Sequence, residues 1–175
     1  MSHFSRRIVI TGFMGAGKTT VAGALARLLG CSSLDLDDAV TSREGRTPQR
    51  LIDEDGEAAF RDAETRALRE ALESAGARVI ATGGGTWTLE RNRALVAERG
   101  CLSVWLDAPF VLCWERITRG GLQPSRPFAR DRAAAGLLYE RRRADYALAD
   151  LRVGVTPRHT AEEVAAEIAS AARRA

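Results

Sequence analysis

Short runs of apolar residues alternate along this chain with longer stretches in which apolar residues recur every three or four positions. The short runs predict β-strands at residues 7–11, 33–35, 78–82, 101–106 and 151–155. The longer stretches predict helices at residues 18–29, 57–74, 90–98, 109–119, 133–146 and 161–173, the last with a capping box formed by Thr160 and Glu163. Because parallel strands need crossover helices between them, this alternation predicts an α/β fold with a five-stranded parallel sheet flanked by helices.

One stretch breaks the regular pattern. Residues 119–130 contain two glycines, two prolines and three arginines, a composition that disfavours helix and strand and predicts an exposed cationic loop. No other segment has the composition of a linker. We therefore predict that residues 1–175 form a single domain with a mobile lid at residues 117–131 that closes over an anionic ligand.

The composition, with 45% hydrophobic and 28% charged residues, is typical of a globular protein. No apolar run approaches the roughly 18 residues of a membrane span, and the amino terminus lacks the pattern of a signal peptide. We therefore expect a cytoplasmic protein with no membrane partner. The three cysteines are widely spaced, which predicts neither a disulfide framework nor a cysteine-rich metal site. The net charge of +3 comes from arginines interspersed with acidic residues, so we expect small anionic ligands and no nucleic acid.

A candidate phosphate-binding loop follows the first predicted strand and opens the first predicted helix. Its sequence, Gly-Phe-Met-Gly-Ala-Gly-Lys-Thr at residues 12–19, fits the spacing G-x-x-x-x-G-K-[ST]. Glycines let backbone N–H groups surround phosphate oxygens, and the helix amino terminus adds its positive end. The loop contains Lys18, the only lysine among 26 basic residues, which would reach the β- and γ-phosphates, while the Thr19 hydroxyl would hold Mg²⁺. The predicted nucleotide-binding residues are Gly12, Met14, Gly15, Ala16, Gly17, Lys18, Thr19 and Thr20.

Further polar or glycine-rich segments follow the other predicted strands, at the edge of the sheet where ligands of such folds bind. After the second strand, alternation along an extended chain would point Asp35 and Asp37 to the same side. We expect Asp35 to bind Mg²⁺ and Asp37 to act as the base that receives a proton from an acceptor hydroxyl. After the third strand, Gly83, Gly84 and Gly85 would let an acceptor lie directly against the backbone.

Three further residues, which lie on or just before predicted helices, are candidates for a structural or an anion-binding role. Asp107 precedes Ala108-Pro109 and is predicted to cap the next helix. Arg61 and Arg142 would suit an anionic acceptor, because a guanidinium group binds a carboxylate or a phosphate bidentately. These residues alone leave open whether the acceptor is a carboxylic acid or a nucleoside monophosphate.

Several segments of the chain together match the motifs of one kinase family. They are the phosphate loop, Leu34-Asp35-Leu36-Asp37, the Gly-Glu-Ala-Ala-Phe-Arg segment at residues 56–61, the triple glycine, Arg126-Pro127, and Arg142 followed four positions later by Tyr146. On these segments the chain resembles the shikimate kinase family over nearly its whole length. The resemblance implies a nucleoside monophosphate kinase-like P-loop fold and ATP- and Mg²⁺-dependent phosphorylation of the 3-hydroxyl of shikimate, a step toward chorismate and the aromatic amino acids. We expect such an enzyme to act as a monomer.

The resemblance also implies roles for individual residues. In an acceptor-binding region at residues 37–66, Asp37 would contact the acceptor hydroxyls, and Arg61 would hold the shikimate carboxylate together with Arg142. The three glycines would line the acceptor pocket. Arg126 in the lid would contact both phosphate and substrate and act in catalysis with Lys18 and Asp37. Finally, Arg116 would lie against adenine.

Departures from the family pattern leave alternatives open. The segment between Arg116 and Arg126 is longer than usual, so Arg119 is an alternative to Arg116 at adenine. Alanine and aspartate replace the usual Pro-Leu before Tyr146, so a neighbouring arginine is an alternative to Arg142. The alternative functions are a related P-loop kinase acting on gluconate or a nucleoside monophosphate, and a catalytically silent nucleotide-binding module with a regulatory role.

Overall fold

A five-stranded parallel sheet forms the centre of the protein. The computed structural model describes residues 6–119 and 131–174. Its strands are β1 (Ile8–Thr11), β2 (Ser33–Asp35), β3 (Val79–Ala81), β4 (Leu102–Asp107) and β5 (Leu151–Gly154), in the spatial order β2-β3-β1-β4-β5. Ile8 of β1 lies opposite Val79 of β3 and Leu102 of β4. The predicted five-stranded parallel sheet is confirmed, and each strand lies where the apolar runs placed it.

The helices of the described residues flank this sheet. They are α1 (Lys18–Leu29), α2 (Leu36–Glu44), α3 (Pro48–Asp55), α4 (Glu57–Glu73), α5 (Glu90–Glu98), α6 (Phe110–Arg119), α7 (Arg132–Tyr146) and α8 (Ala161–Ala172), with a 3-10 turn at Thr86–Thr88. The capping box predicted for α8 is confirmed, since the Glu163 amide donates to the Thr160 hydroxyl and the Thr160 amide donates to the Glu163 carboxylate. Most of the predicted lid, including Arg126, lies outside the described residues.

Two of these helices, α2 and α3, were not predicted from the sequence. The reason is that α2 buries only Leu36 and Val40 and α3 buries only Leu51, so neither shows a sustained helical period of apolar residues. A local signal does mark the start of α3: Thr47 caps it through its hydroxyl and Pro48 occupies its first turn. Both helices pack on α4, which places them beside the carboxyl end of β2.

The hydrophobic core lies on both faces of the sheet. Ile8, Val9 and Ile10 of the central strand are completely buried, and α1 packs against α8 on one side of them. Burying an aliphatic side chain of this size stabilises a fold by about 1.5–3 kcal/mol. Because β1 is central, the loop that follows it opens at the middle of the sheet edge. No helix within residues 6–119 and 131–174 is long and apolar enough to cross a bilayer.

Candidate active site

The loop between β1 and α1 is shaped by three glycines with positive φ angles, Gly12 (143°), Gly15 (77°) and Gly17 (97°). A Cβ atom at Gly12 would lie 2.7 Å from the Leu106 carbonyl oxygen, and one at Gly15 would lie 2.5 Å from the carbonyl oxygen of Cys113. Both neighbours are backbone atoms that cannot move aside. The loop therefore fits against β4 and α6 only with glycine at these two positions.

The charged end of Lys18 lies across the loop. Its Nζ atom donates to the carbonyl oxygens of Gly12 (2.9 Å) and Phe13 (3.0 Å). The loop also receives two hydrogen bonds from Arg116, which donates to the carbonyl oxygens of Gly15 and Ala16 at 3.2 Å each. Two cations therefore lie beside the amino terminus of α1, whose dipole adds further positive potential. This is an environment for a polyanion such as a triphosphate.

Thr19 and Asp35 form a pair of oxygen donors next to the loop. The Thr19 hydroxyl donates to Asp35 Oδ2 at 2.5 Å, and Asp35 Oδ1 accepts from the Asp37 amide at 2.9 Å. Asp35 therefore also caps α2. A hydroxyl and a carboxylate side by side are the oxygen ligands that suit Mg²⁺ near phosphates.

Asp37 lies in the first turn of α2, so the prediction of an extended chain through residues 35–37 is wrong. The helix begins at Leu36, and it is the helical turn that brings Asp37 to the same cavity as Asp35. Water reaches this carboxylate through the open cavity, yet protein surrounds it on most sides. Burial, together with the nearby Glu64 and Asp35 carboxylates, raises the pKa of Asp37 to about 6, against the opposing effect of Lys18. A carboxylate with a pKa near neutrality is suited to accepting a proton.

A cavity of about 410 Å³, the central cavity, joins these groups to a second cluster. Its volume is within the usual range for small-molecule sites. It is lined by Met14, Gly15, Gly17, Lys18, Thr19, Thr20, Asp35, Asp37, Pro48, Ile52, Phe60, Arg61, Glu64, Thr82, Gly83, Gly84, Gly85, Arg116 and Arg142. Of the predicted site residues that the structure describes, Gly12 and Ala16 are absent from this wall; the Gly12 carbonyl oxygen accepts from Lys18, and Ala16 is buried.

The second cluster contains two guanidinium groups. Arg61 donates to Glu64 Oε2 at 2.5 Å and also pairs with Glu57 at 3.2 Å. Burial opposes its charge, but the Glu64 and Glu57 carboxylates outweigh this effect and raise the pKa of Arg61. Arg142 is only 6% exposed, and burial, assisted by the positive charge of Arg61, lowers its pKa. Two cations facing one cavity are chemically suited to a carboxylate or a phosphate.

The neighbours of Arg142 face elsewhere. Arg143 donates to Asp107 Oδ1 and to the Tyr139 hydroxyl, each at 2.8 Å. The other carboxylate oxygen of Asp107 accepts from Arg152 at 2.5 and 2.8 Å. The prediction that Asp107 caps the following helix is therefore wrong: the helix begins three residues later, and this carboxylate holds two arginines instead. Among the three consecutive arginines, Arg142 is the one that lines the central cavity.

The two candidates for the adenine contact also differ in position. Arg116 lines the central cavity and donates to the loop carbonyl oxygens. Arg119 has a side chain that is 81% exposed and pairs with Glu115 at 3.7 Å. Of these two arginines, only Arg116 therefore lines the central cavity beside the phosphate loop, while Arg126 is outside the described residues.

Comparison with known proteins assigns this arrangement to a family. The shikimate kinase family model matches residues 14–173. The chain belongs to the shikimate kinase family. A curated shikimate kinase from Ruegeria pomeroyi is 40% identical over 148 residues, which are 85% of this chain and 75% of that protein. One from Geobacter sulfurreducens is 39% identical over 168 residues, 96% of this chain and 91% of that protein.

Comparison with a solved structure supports the same family assignment. The shikimate kinase from Acinetobacter baumannii in complex with shikimate superimposes with a TM-score of 0.88 at 32% identity, covering 97% of this chain and 93% of that one. The family resemblance and the P-loop kinase fold predicted from the sequence are therefore confirmed.

The central cavity of this shikimate kinase family member also contains residues that the sequence analysis missed. They are Pro48, Ile52, Phe60, Glu64 and Thr82. Glu64 could have been found from its spacing, because it lies one helical turn after Arg61 and therefore on the same face of α4. The apolar residues of α3 could not, since that helix itself was not predicted.

Proposed function

We propose that this protein transfers the γ-phosphoryl group of ATP to the 3-hydroxyl of shikimate in a Mg²⁺-dependent reaction. The observation that carries the proposal is the placement of two guanidinium groups, Arg61 and Arg142, in the same cavity as a phosphate-binding loop. A carboxylate on a small polyhydroxy ring would be held at one end of the cavity while a triphosphate occupies the other. The base candidate, Asp37, lines the same cavity.

The acceptor half of the cavity combines charge with apolar surface. The shikimate carboxylate would accept hydrogen bonds from Arg61 and Arg142, while its ring would rest on the apolar wall. That wall is formed by Pro48, Ile52 and Phe60. Gly83, Gly84 and Gly85, the glycine turn, would leave room for the ring to approach the backbone. Such a pocket selects a ring that carries a carboxylate on one side and hydroxyl groups on another.

The donor half consists of the phosphate loop and its cations. Loop amides, the amino terminus of α1 and Lys18 would surround the β- and γ-phosphates. Arg116 would lie beside the nucleotide, and we assign Arg126 of the lid to the transferred phosphoryl group by family resemblance. Lys18 and these arginines would stabilise the negative charge that spreads over the phosphoryl oxygens in the transition state.

The transfer itself needs positioning and one proton acceptor. The acceptor oxygen would form a bond to the γ-phosphorus as the bond from that phosphorus to the bridging oxygen of ADP breaks. The hydroxyl proton would pass to the Asp37 carboxylate, which is ionised above a pKa of about 6. The products are ADP and shikimate 3-phosphate. We also propose that the enzyme acts as a monomer in the cytoplasm.

Magnesium would be held beside Thr19 and Asp35, whose oxygen atoms are 2.5 Å apart. The ion would supply positive charge that neutralises part of the phosphate charge. Asp35→Asn keeps a helix-capping oxygen for α2, since asparagine caps as well as aspartate. We expect this variant to need about tenfold more Mg²⁺ for half-maximal activity, with an unchanged unfolding temperature.

A magnesium titration of ADP release measures this effect. Asp38→Asn is the matched control, because Asp38 lies in the same helical turn but does not line the central cavity. Identical magnesium titrations for both variants and the unmodified protein would remove Asp35 from the proposed magnesium site.

Gly85→Ala is expected to weaken shikimate binding specifically. Gly85 has φ −104° and ψ −11°, which alanine adopts without strain, so the backbone can stay as it is. An added Cβ would lie 2.5 Å from both terminal nitrogens of the Arg61 guanidinium and would push that group away. We expect the KM for shikimate to rise by about tenfold while the KM for ATP is unchanged, as a charged hydrogen bond is lost.

The matched control for this variant is Gly84→Ala, whose Cβ would lie 3.4 Å from Arg142 Nη1 and from the Met14 amide. It should show a smaller rise in the KM for shikimate. Equal effects of the two alanines, or an equal rise in the KM for ATP, would contradict the assigned contact with Arg61.

A coupled assay of ADP release tests the proposed function. Turnover with shikimate, and little or none with gluconate or a nucleoside monophosphate, is the expected result. Turnover with one of those two acceptors alone would instead favour a related P-loop kinase. Nucleotide binding without transfer to any of the three would favour the catalytically silent module. Mass spectrometry of the product shows whether a phosphate has been added. Phosphorus NMR then shows whether that phosphate is on the 3-hydroxyl or on another oxygen.

A further inference from the structure

The glycine turn lies between the two guanidinium groups of the central cavity. A Cβ atom on Gly85 would meet Arg61, and one on Gly84 would lie 3.4 Å from Arg142 Nη1. The same turn, with the residue that follows it, is also hydrogen-bonded to the partners of both arginines. The turn can therefore set the position of each guanidinium relative to the other.

On the Arg61 side, the connection runs through Thr86 and Glu64. The Thr86 hydroxyl donates to Glu64 Oε1 at 2.7 Å, and Glu64 Oε2 accepts from Arg61 at 2.5 Å. Thr86 and Glu64 are each only 1% exposed, so these bonds are shielded from water. Thr86 is held in turn by Asn92, which is completely buried and donates to the Thr86 carbonyl oxygen at 2.8 Å.

On the Arg142 side, the connection runs through Tyr146. Its hydroxyl donates to the Gly84 carbonyl oxygen at 2.5 Å and is hydrogen-bonded to the Arg142 guanidinium. Tyr146 is 1% exposed, and burial raises its pKa to about 12, so the hydroxyl keeps the proton that it donates. Trp87 strengthens this side, since its Nε1 atom donates to the Asp145 carbonyl oxygen at 3.0 Å and ties the turn to α7.

We propose that Thr86 and Tyr146 are positioning residues that fix the spacing of Arg61 and Arg142 for the acceptor carboxylate. The proposal rests on the proposed function, because it takes that carboxylate to be the group between the arginines. Neither hydroxyl is assigned a contact with shikimate or with ATP. Each acts through an arginine, and a displaced arginine would hold the acceptor less well without disturbing the nucleotide half of the cavity.

The test uses Thr86→Val, Thr86→Ser and Tyr146→Phe in the full-length protein. Valine keeps the shape of threonine but cannot donate to Glu64, whereas serine keeps the hydroxyl. We expect Thr86→Val and Tyr146→Phe each to raise the KM for shikimate by about tenfold, as expected for a hydrogen bond in a charged network. The kcat and the KM for ATP should change by less than about threefold, and Thr86→Ser should remain close to the unmodified enzyme.

Two controls separate positioning from a general loss of stability. Ser103→Ala removes another buried hydroxyl that donates to a carboxylate, Asp150 Oδ2, at 2.7 Å, but outside the central cavity. Tyr139→Phe removes the hydroxyl of a second buried tyrosine on α7, which donates to the Ala108 carbonyl oxygen at 2.9 Å. Both controls should lower the unfolding temperature as much as the test variants while leaving the KM for shikimate unchanged.

Double-mutant cycles then ask whether each hydroxyl acts through its own arginine. The measured quantity is kcat/KM for shikimate, taken from the linear range of substrate concentration. Thr86→Val should have no further effect once Arg61→Ala is present, and Tyr146→Phe should have none once Arg142→Ala is present. Because Thr86 and Tyr146 lie on different elements, either cycle suffices if the other variant does not fold.

These experiments distinguish a failure of the positioning role from a failure of the proposed function. If the unmodified enzyme does not phosphorylate shikimate, the proposed function fails and the positioning role fails with it. If shikimate is phosphorylated but Thr86→Val and Tyr146→Phe keep its KM, the positioning role alone is overturned. It is also overturned if either hydroxyl has the same effect with and without its arginine, or if the KM values of shikimate and ATP rise together.

Discussion

Asp37→Asn is expected to lower kcat by about 10²–10⁴-fold, the usual contribution of a general base. An asparagine side chain can still accept a hydrogen bond from the 3-hydroxyl of shikimate, but it cannot take up the proton. The KM for ATP should change little, because the phosphate loop is intact. The measurement is steady-state ADP release with shikimate varied at saturating ATP and Mg²⁺.

The same substitution should make the protein more stable at neutral pH. Burial and three neighbouring carboxylates raise the pKa of Asp37 from 3.8 to about 6, so its charged form is disfavoured in the fold. Above pH 6 the unmodified protein carries that disfavoured charge, and asparagine removes it. As the pH falls through about 6 toward 3.8, Asp37 becomes protonated and the advantage of asparagine disappears.

Thermal unfolding at pH 8 and at pH 4.5, without magnesium or nucleotide, measures this stability difference. Asp38→Asn is the control, since Asp38 is exposed in the same helical turn and lies outside the central cavity. It should keep full activity and gain less stability than Asp37→Asn, since Asp38 makes the smallest contribution to the raised pKa of Asp37. Full activity of Asp37→Asn would remove Asp37 from the role of base, and a stability gain that is equal at both pH values would contradict the raised pKa.

Lys18→Met is expected to lower kcat/KM for ATP by about 10²–10³-fold, as for the loss of one group that stabilises transition-state charge. Lys18 is the only lysine of the chain, and its ammonium group is held between two loop carbonyl oxygens. Methionine has a similar length but no charge. ADP release measures the catalytic effect, and calorimetric titration with ADP measures the binding effect separately.

Arg27→Met on the same helix is the matched control for Lys18→Met. The Arg27 side chain is 70% exposed and pairs with Glu162 on the surface, where an ion pair contributes little. This control should retain normal turnover. Normal turnover of Lys18→Met itself would contradict the assigned role, whereas lost turnover with normal ADP binding would place the contribution of Lys18 in the transfer step.

Much of the fold could be predicted from the sequence because its central strands, β1, β3 and β4, are short and largely apolar. Ile8, Val9 and Ile10 are completely buried, and a strand covered on both faces needs no polar alternation. The helices that pack on such a sheet must show a helical period, which identified α1 and α8 to within one residue of their ends. Helices α2 and α3 bury too few residues to produce that period.

The site was less predictable where tertiary contacts decide between equivalent residues. Three consecutive arginines on α7 differ by 100° in direction at each step, and the sequence could not fix which of them faces the cavity. The structure turns Arg142 inward because Arg143 is held by Asp107. Asp107 in turn was misread as a helix cap, since its partner Arg152 lies on another strand and no local pattern connects the two.

Helix α8 supplies no lining residue to the central cavity that the structure describes, yet it packs along α1, which begins with Lys18 and Thr19. Its buried residues Val164 and Ile168 cover the face of the core on that side. During synthesis on the ribosome, α1 emerges early and its packing partner emerges near the end of the described chain. We therefore expect α1 to gain its full packing against the core only after α8 has been synthesised and has docked.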